Sequence, residues 1–396
     1  MKSMLLRLFA VLTAFSACTP SGTDSIKRED LFSIDIGPME DQLALYSLEE
    51  DGGIRRVGFT MRDGFFYIAD GNGGKVVRYN SYGDLLFLIY NEEITPNSGS
   101  LKPKTGGDSH VIRWAFTYPF FSPSKITVDT RGHIYVEERL PNERYSFDAE
   151  NKVLLDSVIL HFDEDGQFIE YLGQGGPGGE PFPKITGLYT SENDEVAVVC
   201  RMMNGWNIYW YGIHGEQIFL IQLTNNAIPV PPDWSGFSTS VDAVMAAPDA
   251  RKLFIKVDYY QNIYDKITNT RISTEPVSSL IWVFDVDTGV YGESIEVPFY
   301  EYSYTERGRK TTVPLLYTML GLARDGRVLL YFPVETGYEI LLIYPGGRQQ
   351  RGLIRVDPEE LRFNDFHFSP EGILCALLAD AWKAKLVWWR MDRLAQ

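Results

Sequence analysis

The sequence predicts an all-β fold: a six-bladed β-propeller of four-stranded antiparallel blades, its ring closed by a strand from near the N-terminus. Three observations carry that expectation. Of 396 residues, 44% are apolar, 14% aromatic and 23% charged, with 23 Tyr, 23 Phe and 8 Trp, so a large core can be buried and a disordered chain is excluded. Glycine (35) and proline (21) are frequent, as in a chain punctuated by turns. One unit of two linked hairpins recurs along the sequence with variable spacing.

The clearest copy runs from Val57 to Tyr90. VGFTM turns at Arg62-Asp63-Gly64 into FFYIAD, and KVVRYN turns at Tyr82-Gly83-Asp84 into LLFLIY. Such pairs adopt the positive φ angles of two-residue hairpins. In the second copy SKITVD turns at Arg131-Gly132 into HIYVEE, and DSVILHF turns at Asp165-Gly166 into QFIEYLG. The third reads ITGLYT, Asn193-Asp194, EVAVVC, then WNIYWYG, His214-Gly215, EQIFLIQL. The fourth reads VDAVMAA, Pro248-Asp249, KLFIKV, then SLIWVFDV, Thr288-Gly289, VYGESIEV. The fifth reads YTMLGLA, Asp325-Gly326, RVLLYFPV, then EILLIY, Gly346-Gly347, RGLIRV. The sixth has three strands, FNDFHFS, ILCALLA after Glu371-Gly372, and KLVWWRM. Leu31 to Ile36 (LFSIDI) has strand composition and supplies the missing fourth, which removes an exposed sheet edge.

Alternatives fail on count or pattern. WD40 blades of ~40–45 residues would require about nine copies. Parallel α/β folds need helical periodicity between strands, and the best helical stretch, Pro358 to Arg362, is about one turn. Leu85 to Tyr90, Ile281 to Phe284 and Leu341 to Tyr344 are apolar on both faces, as strands covered by neighbouring blades are and those of a half-wet sandwich are not.

Pro123 to Asp129, Gly132 to Val136, and Phe162 to Phe168 followed by GQGGPGGEPFPKITGL resemble NHL-type propeller repeats. That resemblance covers two adjoining blades well, the first partly through FFYIAD, and the rest by pattern. It implies interaction as the default activity and admits an enzyme, because related propellers house hydrolases and lyases. The Gly173 to Gly179 run lacks the Gly-Lys-Ser/Thr ending of a phosphate loop and reads as an inter-blade linker.

The N-terminus reads as an address. Lys2 and Arg7 precede an apolar run, Leu8 to Ala17, of about ten residues, roughly half of a bilayer-crossing helix. Phe15-Ser16-Ala17-Cys18 resembles the lipobox of bacterial lipoproteins, which implies residues 1–17 as signal peptide, lipidation at Cys18 and a membrane contact through acyl chains alone. Residues 18–30 suit a flexible tether and residues 31–396 a single propeller domain. The resemblance implies a bacterial cell envelope location, on a periplasmic or surface face, with Thr19 slightly favouring the outer membrane. Cys200 and Cys375 lie in apolar runs and read as unpaired core thiols.

Chemistry is sparse. A formal charge of -16 argues against nucleic acid as a partner. His110, His133, His161, His214 and His367 form no metal-binding spacing, and no G-x-S-x-G elbow occurs. No cofactor is expected. Calcium is the one alternative, with Glu137, Glu138, Asp163, Asp165 and Asp258 as oxygen donors gathered at the axis of a metal-dependent hydrolase. The long segment Asn91 to Ser122 ends in Trp114, Phe116, Tyr118, Phe120 and Phe121, whose alternation puts the rings largely on one side if extended. These five are the candidate binding loop, with packing over a propeller face as the alternative. The insertions Arg139 to Leu155 and Tyr300 to Thr312, the latter with Arg307, Arg309 and Lys310, are candidates to line a face. The reading is a binding or scaffolding module for an envelope protein, peptide or glycan.

Overall fold

A computed structural model describes residues 25–46, 56–95, 114–172, 181–231, 234, 236–306 and 309–391. The signal sequence and Cys18 lie outside them, as do His110, Arg307 and the run Gly173 to Gly179.

Six blades of four antiparallel strands follow one another in the predicted order, and the sheet of blade one carries a fifth strand. Blade one contains Val57–Arg62, Phe65–Asp70, Lys75–Tyr79 and Leu85–Tyr90; blade six contains Phe363–Phe368, Ile373–Ala379 and Lys383–Arg390. The ring closes through Arg28–Asp35, which pairs antiparallel with Lys383–Arg390 from Arg28↔Trp389 to Asp35↔Lys383. Ile34 is 4% exposed in the core shared with blade one, and burial of such a side chain contributes about 1.5–3 kcal/mol. A charge cluster reinforces this latch: Glu360 takes Arg28 through both oxygens (2.5 and 3.1 Å) and Lys385 at 2.6 Å.

All the first strands run the same way along the axis, which gives the ring two unlike faces. At the lower face, where first strands end, every described connection within a blade is a tight turn. Eight of these are one five-residue design, starting at Asn80, Asp129, Asp163, Ser191, Gly212, Ala323, Tyr344 and Ser369. The first N–H donates to the fifth C=O, and the fourth N–H donates back to the first C=O. The fourth residue has positive φ and is glycine in seven cases and Asp194 in the eighth. These are three-residue loops, a type I turn closed by a left-handed residue, so the expected two-residue hairpin holds only at Asp63-Gly64 (φ 51° and 78°). An acceptor at the first position explains the Asp, Asn and Ser. Asp129 Oδ1, for example, accepts from the N–H groups of Arg131 (3.0 Å) and His133 (2.9 Å).

The upper face carries everything long. Trp114–Thr117 is not loop but a fifth strand of blade one, parallel to Leu85–Tyr90. The Arg139 to Leu155 insertion folds as a 3-10 turn, Asn142–Arg144, and a hairpin of Ser146–Asp148 with Val153–Leu155. Tyr300–Glu306 and Arg309–Leu315 pair as another hairpin. Blade four departs furthest from expectation, because Lys252–Tyr264 and Arg271–Asp285 stay paired far beyond KLFIKV and SLIWVFDV. The helical stretch near Pro358 is a single 3-10 turn, Pro358–Glu360.

Candidate functional site

The first strands of all six blades line an axial cavity of about 300 Å³. They are held close where side chains are absent: a Cβ on Gly58 of blade one would sit 2.0 Å from the Ser124 carbonyl of blade two. Hydroxyls of Thr60, Thr127, Thr186 and Thr190 belong to the wall, as do Lys125, Asp365 and His367. Asp365 and His367 are half-buried and face the channel, with protein packed around most of each side chain. Burial therefore raises the Asp365 carboxyl to about 7 against Lys125 and the N–H groups of Phe366 and Phe59. It lowers the His367 imidazole to about 4, so that ring is neutral at physiological pH.

Asp365 and Lys125 belong to no recognisable catalytic or ligand-binding motif, and His367 forms no metal-binding spacing. The available signal was the alternation of polar with aromatic residues in FNDFHFS, which puts Asp365 and His367 on one side of a first strand.

The lower mouth of this cavity is crossed by ion pairs. Arg62 of blade one and Arg324 of blade five both reach Glu192 Oε1 of blade three, at 3.4 and 2.9 Å, and each pair skips a blade. Arg324 also meets Glu371 of blade six at 3.4 Å. Backbone and side-chain bonds clasp neighbouring blades alongside: Thr130 N–H to Asp194 Oδ1 (2.8 Å), Glu192 N–H to the Pro248 carbonyl (2.8 Å) and Arg324 N–H to the Pro370 carbonyl (2.8 Å).

The acids proposed as calcium donors are scattered. Asp163 caps its own turn by accepting from Asp165 (3.1 Å) and Gln167 (2.8 Å). Asp258 is committed to buried Lys256 (2.7 Å) and Ser279 (2.6 Å) in blade four. Glu137 accepts from Ser157 Oγ at 3.3 Å. Calcium takes 6–8 oxygen ligands. Among the described residues Asp365 is the one carboxylate lining the axis, and no group of three or more potential ligands gathers. The donor set does not fit calcium.

His133 and His161 meet on the flank of blade two, Nδ1 to Nε2 at 2.9 Å, with His161 stacked on Tyr135 at a centroid distance of 4.4 Å.

The aromatic segment divides its labour. Trp114 (47% exposed) stacks on Phe116 at 6.2 Å along the outer edge, and Phe116 packs toward blade two near Gly166. Phe120 is fully buried at the junction of blades one and two, with Tyr118 edge-on to Phe162 at 5.2 Å. Tyr118, Phe120 and Phe121 then join Glu138, Arg144 and Tyr171 around an upper-face pocket of about 420 Å³. Phe121, 51% exposed, flanks it.

Glu138 is the unusual member. Its Oε1 accepts from the N–H groups of Phe121 and Ser122, while the buried Oε2 has no partner among the described residues. Burial pushes its carboxyl up to about 8 in spite of those two N–H groups. Sequence reading named Glu138 as a calcium donor and missed its place beneath the aromatic loop.

No known family profile matches this chain, and no curated protein does. Solved structures similar to it include a polysaccharide lyase, an ulvan lyase, at 12% identity and TM-score 0.39, covering 90% of this chain and 84% of that one. The β-propeller domain of the Trilobed protease from Pyrococcus furiosus matches at 10% identity and TM-score 0.41, over 84% and 95% of the two chains. A luciferin-regenerating enzyme matches at 10% and 0.35, over 92% and 95%. At such distances none of them informs activity, and the assignment to the six-bladed β-propellers rests on the strand pairing of this chain.

Proposed function

We propose that this propeller is an NHL-type bacterial lipoprotein, anchored at the cell envelope through Cys18, with residues 18–30 as tether, that recognises a protein, peptide or glycan at its upper face. One observation carries the recognition part: the pocket at the blade one–blade two junction. There a long inter-blade segment and a blade insertion converge on an exposed ring, Phe121, and on a buried carboxyl with an unused oxygen. An open aromatic pocket with a few convergent polar groups is the common form of a recognition site.

The competing reading, a metal-dependent hydrolase, calls for carboxylates from three blades at the axis, and Asp365 alone lines it among the described residues. The double variant F121A/R144A alters two exposed side chains and leaves the core intact. Compared with wild type in capture from envelope extracts, it should lose the retained partner while keeping its melting temperature; equal retention would sink the pocket's role. C18A should move the protein from the membrane to the soluble fraction, and unchanged fractionation would overturn the anchor.

A further inference from the structure

A second upper-face depression has a different character. The tip of the blade-two hairpin, Glu150, Asn151 and Lys152, leans toward blade three, where Met202 to Asn207 and Gln222 to Thr224 form the other wall. The space between measures about 510 Å³, within the ~300–1,000 Å³ of small-ligand sites. Four of its side chains are carboxamides: Asn151, Asn204, Asn207 and Gln222. Asn207 and Gln222 stand directly opposite each other on paired strands, Asn207 buried at 7% exposure and Gln222 exposed. Met203, 61% exposed, adds a flexible apolar surface, and one acid, Glu150, is balanced by one base, Lys152.

Each carboxamide offers donors and an acceptor side by side, the pattern that adjacent hydroxyls of a sugar ring satisfy. A thioether adapts to the C–H face of such a ring. Acidic polymers find a single cation here on a chain of formal charge -16. A peptide laid in as an extra strand would be held by main-chain groups and side-chain pockets; what this groove offers is side-chain amides. We infer that the groove between the blade-two hairpin and blade three binds a neutral oligosaccharide, with Asn151, Asn204, Asn207 and Gln222 contacting its hydroxyls. This rests on the recognition reading of the upper face and names a ligand class for a separate site on it.

The test titrates the full chain in detergent with cello-, manno-, malto- and xylohexaose, and with an acidic oligogalacturonate and a random heptapeptide pool as counter-probes. At least one neutral hexasaccharide should bind, with the emission of Trp206, which also lines the groove, reporting occupancy. N204A/Q222A changes two exposed residues and should weaken that binding at least tenfold. F121A/R144A should leave it unchanged, so the two sites fail separately. Binding of no neutral sugar, preference for the acidic or peptide probe, or undiminished affinity in N204A/Q222A overturns the inference.

Discussion

The two faces of this ring are built from opposite kinds of sequence. The lower face repeats itself: eight connections share one five-residue hydrogen-bond design, and neighbouring blades are clasped by bonds such as Thr130 to Asp194 and Glu192 to Pro248. The upper face repeats only in its shortest turns, Met203-Asn204 of blade three and Glu335-Thr336 of blade five, and its long connections are all different. It holds the fifth strand of blade one, the blade-two hairpin, the protruding pair of blade four and the Tyr300 to Leu315 hairpin. Repetition marks where the chain needs the same local geometry in blade after blade, and departures from it mark where recognition is available. Stability and binding should therefore respond to changes at opposite ends of the molecule.

The largest effect is expected from the latch, which belongs to neither face and holds both in register. Deleting Leu31 to Ile36 exposes the edge of Lys383–Arg390 and uncovers the core around Ile34. The melting temperature should fall by more than about 10 °C, since each kcal/mol is worth about 2–4 °C in a domain of this kind; calorimetry showing an unchanged transition would reject closure by this strand.

Next comes the lower-face turn. Gly132 sits at φ 85°, and G132V forces a β-branched residue into left-handed backbone at a cost of about 1–2 kcal/mol or more. Chemical denaturation should register that loss while ligand binding at the upper face persists. If binding fell and stability held, the division between faces would be wrong.

A pH experiment sharpens the upper side. Glu138 is raised to about 8 in the folded state from an ordinary value near 4.5, so the folded chain holds a proton that the unfolded chain has lost between these values. Its contribution is fully present below about pH 4.5 and disappears as pH rises through 8, at no more than about 1.4 kcal/mol per pH unit for one proton. E138Q, which keeps the neutral shape, should flatten the decline in stability from pH 5 to 8. Parallel curves for the two proteins would show that this carboxyl is ionised throughout.

The smallest effect is expected at the lower mouth. Glu192 and Arg324 are partly exposed, and such pairs contribute about 0–1 kcal/mol each. E192Q should cost no more than about 1 kcal/mol, with the loss shrinking in high salt; a larger, salt-independent loss would mean that the crossing pairs hold the ring together.

Most of the strand pattern was legible because its causes are local. The apolar and aromatic composition of KVVRYN and LLFLIY, and the polar-first, glycine-fourth grammar of Asp129 to His133, act within a few residues, so they can be read without knowing what packs nearby. The same locality explains two errors. Glycine pairs looked like two-residue hairpins because positive φ is common to both turn types, and the pattern stopped at KLFIKV and SLIWVFDV because Asp258 to Tyr264 and Arg271 to Ser278 carry polar residues that pairing nevertheless extends. WAFT read as loop because its partner, the edge of blade one, lies across more than twenty residues of chain.

By itself, then, the sequence determined that this chain forms short antiparallel hairpins, six pairs of them, with a strand left over at the start to complete the last. The tertiary structure alone decided that Arg62 and Arg324 share Glu192, that Asp365 and Lys125 face one channel, that Glu138 lies under Phe121 and that a blade-two hairpin tip meets the amides of blade three. The reason is physical: turns and pleats are set by hydrogen bonds between near neighbours, whereas these meetings depend on how sheets twist and close into a ring, and no run of adjacent residues records that angle.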